Sequence, residues 1–213
     1  MTFPAPLRPV LLAVALAAPV AQAQEAAPAG LDTRVKSFLD RTRGQWRDMN
    51  VPYEDGQALH DLVAKKGFKR GLEIGTSTGL SAVWIGWAMS KTGGKLVTLE
   101  IDERRHLAAR KNLEEAGVAA FVDARRGDAH ELVKTLEGPF DFVFSDADKD
   151  WYAQYFRDLD PKLQVGGCFT AHNVLDGFGG IEAFLDLVRS RADYRTEILR
   201  TSRSGISVSC KLR

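Results

Sequence analysis

A lysine and several acidic residues follow an apolar segment in the middle of the chain. Directly after residues 142–144 come Asp146, Asp148, Lys149 and Asp150. Aspartates in the first turn of a helix stabilise its dipole, which is a sufficient role for Asp148 and Asp150. Asp146 and Lys149 lie where the apolar segment ends, and a carboxylate beside an amine at such a point can bind a cation or move a proton.

A second apolar segment ends in His172 and Asn173. If the two segments are neighbouring strands, an imidazole and an amide converge on the carboxylate of Asp146. Oxygen and nitrogen donors of this kind suit a divalent cation, so Asp146, His172 and Asn173 form a candidate metal site. Two alternatives stay open for His172, which are a catalytic base in a metal-free site and a structural histidine at a strand end.

A glycine turn and a glutamate indicate a nucleoside-bearing cofactor. Gly75 and Gly79 flank a turn after the first predicted strand, and Glu100 ends the second strand about 20 residues later. A carboxylate at that distance can accept hydrogen bonds from both ribose hydroxyls. Asp128, after the third strand, lies where an adenine amino group would be. The turn matches neither the dinucleotide fingerprint nor the phosphate loop, and a ligand-free turn with a surface glutamate is the alternative.

Strands and helices must alternate to position these residues. The predicted strands are 71–74, 95–99, 119–123, 141–144, 167–170 and 204–212, and the helices are 31–50, 56–65, 80–90, 103–116, 128–136, 151–159 and 181–192. The arginine-rich stretch 189–203 is interpreted as a solvated helix end. This alternation predicts a doubly wound α/β fold with a mainly parallel sheet, in which ligands bind at the carboxyl ends of the strands.

Length and charge exclude several classes of protein. The chain has 213 residues, with 29 basic and 28 acidic side chains. One domain is therefore expected, and the neutral balance gives no case for nucleic acid as a partner. The 2 cysteines are too few for a disulfide scaffold.

The first residues differ from the rest of the chain. Residues 10–20 are apolar and are followed by Ala21-Gln22-Ala23. This pattern predicts a signal peptide over 1–23, cleaved after Ala23, then a polar linker over 24–30 and the folded domain over 31–213. A run this short cannot span a bilayer, so no stable membrane span is expected after cleavage. The predicted location is periplasmic or secreted. An uncleaved anchor, or a cytoplasmic protein with a misassigned start codon, is the alternative.

From Met49 to Asn173 the chain resembles the class I S-adenosylmethionine-dependent O-methyltransferases of the catechol and caffeoyl-CoA type. Four features carry the resemblance: residues 49–51 with Gly56-Gln57, residues 73–75 with Ser81, Glu100, and the block Asp146-Ala147-Asp148-Lys149. The resemblance implies a seven-stranded, Rossmann-like methyltransferase sheet whose last strand runs antiparallel between two earlier strands.

The resemblance also implies an activity, which is transfer of a methyl group to a hydroxyl of a small, catechol-like aromatic substrate. The implied cofactors are S-adenosylmethionine and a divalent cation, Mg²⁺ or a softer ion such as Mn²⁺. By resemblance Lys149 is the general base, Asp146 is catalytic and a metal ligand, and a homodimer is left open. The implied cofactor-binding residues are Asn50, Val51, Glu73, Gly75, Ser81, Glu100, Asp128, Asp146 and Asp148.

Two departures from the family pattern matter. His172 stands where the family has an aspartate, which lowers the ligand charge and favours softer ions. The loop over 176–180 is short, so the substrate of the family cannot be carried over. If the family strand order holds, Cys168 and Cys210 lie on adjacent strands, as a disulfide or as two buried thiols. A non-catalytic cofactor-binding protein and a nicotinamide-dependent oxidoreductase are the alternative functions, although G-x-G-x-x-G is missing.

Overall fold

The computed structural model describes Met1 and residues 29–213. The helices are α1 Leu31–Thr42, α2 Tyr53–Lys66, α3 Leu80–Thr92, α4 Glu103–Ala116, α5 Ala129–Thr135, α6 Tyr152–Leu159 and α7 Ile181–Ser190. The strands are β1 Arg70–Ile74, β2 Lys95–Glu100, β3 Val122–Arg126, β4 Phe140–Ser145, β5 Leu163–His172, β6 Tyr194–Leu199 and β7 Ile206–Lys211. Short 3₁₀ helices cover Ala119–Phe121, Lys149–Trp151 and Asp160–Lys162.

The strands form one seven-stranded sheet in the order β3-β2-β1-β4-β5-β7-β6. All neighbours pair in parallel except β7, which is antiparallel to both β5 and β6. This is the methyltransferase sheet that the resemblance implied, so the predicted fold class is confirmed. The order reverses between β1 and β4, and ligands bind at such a point in an open α/β sheet.

Apolar residues cover both faces of the sheet. In β4, Phe142 and Phe144 pack into the cluster beneath α1 to α4, while Val143 packs into the opposite cluster beneath α5 to α7. Successive side chains of a strand point to opposite faces, so a strand buried on both sides is apolar throughout. The central strands β1 and β4 are therefore rigid supports for the residues at their carboxyl ends.

Three sequence predictions for secondary structure are wrong. The helix predicted over 31–50 ends at Thr42, and residues 43–50 form turns and irregular chain. The strand predicted from residue 119 begins at Val122, because residues 119–121 form a 3₁₀ turn. The stretch interpreted as a solvated helix end contains β6, an edge strand that pairs only with β7. Its exposed side chains are polar, including Arg195 and Glu197. An edge strand with one wet face has no continuous apolar run, so its sequence does not resemble a buried strand.

Cys168 in β5 lies opposite Cys210 in β7, and the two side chains form a disulfide bond. The alternative of two buried thiols is therefore wrong in this structure. The cross-link joins the strand that ends at His172 to the last strand of the chain.

The predicted signal peptide and most of the predicted linker lie outside the described residues. Among the helices that are described, none is long and apolar enough to cross a membrane.

Candidate active site

A cleft of about 810 Å³ opens at the carboxyl ends of the parallel strands. We call the part formed after β1, β2 and β3 the cofactor half, and the part formed after β4 and β5 the acceptor half. Predicted site residues on its wall are Asn50, Gly75, Glu100, Asp128, Asp146, Asp148, Lys149, His172 and Asn173. The fold thus brings together residues that are up to 123 positions apart in the sequence.

The turn after β1 presents bare backbone to the cleft. Gly75 has a φ of 96°, and a side chain there would overlap the carbonyl group of Asp146. Ser77 also has a positive φ, of 49°, and α3 begins shortly afterwards at Leu80. Only glycine fits at position 75, and its lack of a side chain lets the turn pack directly against the backbone that follows β4.

Glu100 is fixed at the floor of the cofactor half. One carboxylate oxygen accepts the backbone N–H of Ser77 at 2.7 Å, and the other accepts that of Asp102 at 2.9 Å. Each carboxylate oxygen has a second lone pair, so both can still accept a hydroxyl. The side chain is therefore held in the orientation that recognition of a ribose diol requires.

The segment before α2 is tied to the turn after β1 by Asn50. The amide of Asn50 donates to the hydroxyl of Thr78 at 2.8 Å, and its oxygen accepts the backbone N–H of Leu80 at 3.4 Å. The neighbouring Met49 is exposed and lines the cleft. Asn50 thus closes one side of the cofactor half.

Asp128 and Asp148 both cap helices at the opposite side of the cofactor half. Asp128 accepts the backbone N–H of His130 at 2.9 Å, and Asp148 accepts that of Asp150 at 3.2 Å. The ring of His130 stacks on Trp151 with centroids 3.7 Å apart, and its Nε2 lies 3.4 Å from Asp148. The stacked rings form a flat wall beside two carboxylates, which suits a purine with an amino group.

Lys149 and Asp146 form an ion pair in the acceptor half. The Nζ atom of Lys149 donates to Oδ1 of Asp146 at 2.8 Å, and the side chains are 20% and 12% exposed. Asp146 follows β4, and its backbone N–H donates to the carbonyl of Ile74 in β1 at 2.8 Å. The pair is therefore fixed to the sheet and open to the cleft.

His172 lies between two carboxylates at the end of β5. Its Nε2 is hydrogen-bonded to Asp55 at 2.8 Å, and its Nδ1 lies 3.3 Å from Oδ2 of Asp146. Burial lowers the pKa of His172, but the two carboxylates outweigh burial and raise this pKa to about 9. A cation that enters between His172 and Asp146 must therefore displace a proton.

Asp55, near the start of α2, is fully buried behind His172. Besides the imidazole, it accepts the hydroxyls of Thr201 and Ser202, each at 2.5 Å. Burial raises the pKa of Asp55, but the bonds from His172, Ser202 and Thr201 lower it below its ordinary value. Asp55 therefore stays charged, and it ties α2 to the end of β5 and to the β6–β7 loop.

A model of the O-methyltransferase family matches residues 31–191 of the chain. The chain belongs to this family. It is 35% identical over 131 residues to a catechol O-methyltransferase of Niastella koreensis, covering 60% of this chain but only 59% of that relative. A catechol O-methyltransferase of Mycobacterium tuberculosis is 34% identical over 160 residues, which cover 75% of this chain and 72% of the relative.

A solved structure shows the same architecture. The O-methyltransferase of Bacillus cereus, in complex with SAH, superposes with a TM-score of 0.73 at 27% sequence identity. The superposition covers 84% of this chain and 91% of that one. The fold of this member of the O-methyltransferase family therefore matches that of the Bacillus cereus protein over nearly its whole length.

Three residues predicted to bind cofactor do not reach the cleft wall. Val51, Glu73 and Ser81 are buried behind the wall rather than lining it. Glu73 accepts the hydroxyl of Thr98 at 2.5 Å, and burial raises the pKa of Glu73 to about 7. The contact of these three residues with a cofactor stays a prediction.

The three predicted metal ligands, Asp146, His172 and Asn173, all line the acceptor half of the cleft. Among the described residues, no three His, Cys, Asp or Glu side chains gather as a metal cage would require. However, Nδ1 of His172 is buried without a hydrogen-bond partner and faces Asp146. Asn173 lines the cleft and uses its amide nitrogen to hold Asp176 at 2.7 Å. A carboxylate and an imidazole nitrogen 3.3 Å apart, with an amide on the same cleft wall, are donors that suit a divalent ion.

Asp55, Thr201 and Ser202, which hold His172, were not among the predicted site residues, and neither was His130, which lines the cleft. Asp55 immediately precedes the helix predicted over 56–65, and no motif marks it. A signal for His130 was available, because it lies two residues after Asp128, at the start of the helix predicted over 128–136. No sequence signal connects the β6–β7 loop with α2.

Proposed function

We propose that the protein is an S-adenosylmethionine-dependent O-methyltransferase that acts on a hydroxyl of a small, catechol-like aromatic compound. The observation that carries the proposal is the opposition of Glu100 and the Lys149–Asp146 pair across one cleft. Glu100 is held in place to accept hydrogen bonds from ribose hydroxyls, and Lys149, paired with Asp146, is placed to accept a proton. The named relatives with SAH or with catechol as substrate support the same assignment.

The cofactor half has the groups that S-adenosylmethionine requires. Glu100 binds the ribose hydroxyls, the stacked ring of His130 and the carboxylate of Asp128 hold the adenine, and the backbone of Gly75 on the cleft wall borders the methionine end. In the reaction, the sulfonium–methyl bond of S-adenosylmethionine breaks, an oxygen–methyl bond forms, and the sulfur leaves as a neutral thioether.

Lys149 removes the hydroxyl proton in this proposal. In this role Lys149 acts in its deprotonated form, whose amine lies 2.8 Å from Oδ1 of Asp146 and faces the cleft. That amine accepts the proton of the acceptor, which generates the oxygen nucleophile. A phenol has a pKa near about 10, so general-base assistance is needed at neutral pH.

A divalent ion is part of the proposal, and Asp146, His172 and Asn173 would hold it. It would supply Lewis acidity that lowers the pKa of a bound hydroxyl. Phe178 and Met49, both exposed and on the cleft wall, give the apolar surface on which an aromatic ring packs.

The test combines binding and turnover. Calorimetry should show binding of S-adenosylmethionine, and a series of catechols should be methylated while the corresponding monophenols react more slowly. Lys149→Met should lower turnover about 10²-fold or more with cofactor affinity unchanged. Lys149→Arg should be equally slow, because arginine keeps the charge but does not release its proton.

Lys111→Met is the matched control, since Lys111 lies on the exposed surface of α4. Full turnover by the arginine variant would remove Lys149 as the base. A protein that fails to bind S-adenosylmethionine, or binds it without methylating any catechol, would overturn the proposed function.

We also propose that the folded domain works outside the cytoplasm, as the predicted signal peptide implies. The Cys168–Cys210 disulfide supports this location, because such bonds persist in oxidising compartments. Cell fractionation and sequencing of the mature N-terminus test the proposal, and a cytosolic protein that starts at Met1 would contradict it.

A further inference from the structure

One ring nitrogen of His172 is hydrogen-bonded to Asp55, and the other faces the carboxylate of Asp146. Nε2 is bonded to Asp55 at 2.8 Å, whereas Nδ1 is buried without a hydrogen-bond partner and lies 3.3 Å from Asp146. A histidine that ligates a metal through one nitrogen usually holds a carboxylate through the other, which fixes the orientation of its ring. The Asp55–His172 pair has this arrangement.

The surroundings of Asp55 show that the carboxylate is held for His172. Asp55 is 0% exposed, and its two hydroxyl donors, Thr201 and Ser202, come from the loop between β6 and β7. Three donors fix both carboxylate oxygens, so neither the carboxylate nor the ring can turn. The Nδ1 atom is thereby held facing Asp146 rather than solvent.

We propose that Asp55 is a positioning residue that makes the acceptor half select an ion softer than Mg²⁺, such as Mn²⁺ or Zn²⁺. The inference rests on the proposed function, because it concerns the ion at the same site. Imidazole nitrogen is a softer donor than carboxylate oxygen and favours these ions. A buried carboxylate behind the ring increases the basicity of the ligating nitrogen and thus the affinity for the ion.

The experiment measures ion binding directly, without methyl acceptor or cofactor. The metal-stripped wild-type protein is titrated with Zn²⁺, Mn²⁺ and Mg²⁺ by calorimetry, and equilibrium dialysis with metal analysis gives the stoichiometry. One equivalent of Mn²⁺ or Zn²⁺ should bind at least about tenfold more tightly than Mg²⁺. Asp55→Asn should weaken Mn²⁺ and Zn²⁺ binding by about 10- to 100-fold.

Two further variants keep the test independent of the folding of Asp55→Asn. Thr201→Val removes one of the three donors to Asp55 and should weaken ion binding by a smaller factor. His172→Asp should shift the preference toward Mg²⁺, because it replaces the nitrogen donor by a hard oxygen donor. His60→Gln is the control for stray binding, since His60 and Asp61 form a separate pair in α2.

The outcomes separate this inference from the proposed function. Equal or tighter binding of Mg²⁺ by the wild type, no saturable ion binding, or an Asp55→Asn variant that changes thermal stability but neither affinity nor preference would overturn the inference. Methylation of catechols at full rate in EDTA would overturn it too, while leaving the proposed methyl transfer intact. Loss of methyl transfer with the ion preference intact would instead count against the proposed function alone.

Discussion

The two halves of the cleft hold their buried carboxylates in opposite ways. Behind the cofactor half, Glu73 is fully buried, and burial outweighs the bonds from Ser81 and Thr98 and raises its pKa to about 7. Behind the acceptor half, Asp55 is equally buried, but an imidazole and two hydroxyls outweigh burial and lower its pKa. The environment behind the cofactor half favours the neutral form of Glu73, whereas the environment behind the acceptor half favours the charged form of Asp55.

This difference matches what each half has to bind. In the proposed function, the cofactor half recognises its ligand largely through backbone geometry, at the turn of Gly75 and at the N–H groups that orient Glu100. The acceptor half relies on side chains, so a single substitution such as histidine for aspartate at position 172 alters its chemistry. The cofactor can therefore be inferred from the fold, whereas the ion and the acceptor depend on individual residues.

The largest expected effect concerns the disulfide beneath the acceptor half. Replacing both Cys168 and Cys210 by alanine should lower the free energy of unfolding by about 4 kcal/mol, since the bond spans 42 residues. Urea unfolding measures the loss, and reduction of the wild type should reproduce it. Cofactor affinity of the folded variant should not change, because the bond lies outside the cofactor half. An unchanged unfolding midpoint would contradict the prediction.

The next effect concerns Glu73 and its dependence on pH. Because its pKa is raised from 4.5 to about 7, the folded state loses stability as the pH rises through this range. The loss should reach about 3 kcal/mol. Glu73→Gln removes this dependence, so its stability relative to the wild type should increase between these pH values.

Denaturant unfolding of both proteins at pH 4.5 and at pH 7.5 measures the difference. Glu103→Gln is the control, because Glu103 is an exposed residue paired with Arg126. Parallel pH profiles of stability for the wild type and Glu73→Gln would contradict the prediction. They would show that hydrogen bonds offset the burial of Glu73 as fully as they offset the burial of Asp55.

A smaller effect is expected for Glu100, which lies on the cleft wall. Glu100→Gln keeps the size of the side chain but removes its charge, and it should weaken S-adenosylmethionine binding by about 10- to 100-fold. Affinity for Mn²⁺ should stay unchanged, because the ion belongs to the other half. Calorimetry with each ligand tests both statements, and a parallel loss of ion affinity would show that the halves are coupled.

Much of the fold could be predicted from the sequence because its signals are local. The block after β4 and the glycine turn after β1 each lie within a few residues, and alternating apolar segments identify six of the seven strands. The strand β6 was missed because its exposed side chains are polar. The predicted placement of Glu100, Asp146, Lys149 and His172 around one cleft followed from the parallel order of the strands.

The environment of His172 could not be predicted in the same way. Asp55, Thr201 and Ser202 come from a helix and a loop that no sequence pattern connects. Their contacts depend on how β7 inserts between β5 and β6, which brings the last loop over the start of α2. The sequence indicated an unusual residue at position 172, and the three-dimensional packing was needed to find its partners.

The bonds to Asp55 also impose an order on folding. Asp55 meets His172 and Thr201 across 117 and 146 residues of chain, whereas Glu100 meets Ser77 across only 23. Contacts of long sequence separation form late, because the intervening chain must be ordered first. During synthesis, the cofactor half can assemble while the C-terminal hairpin is still being made. The acceptor half is then the last part to mature. In a chain interrupted after β6, the cofactor half could be in place while Asp55 still lacks the hydroxyl donors Thr201 and Ser202.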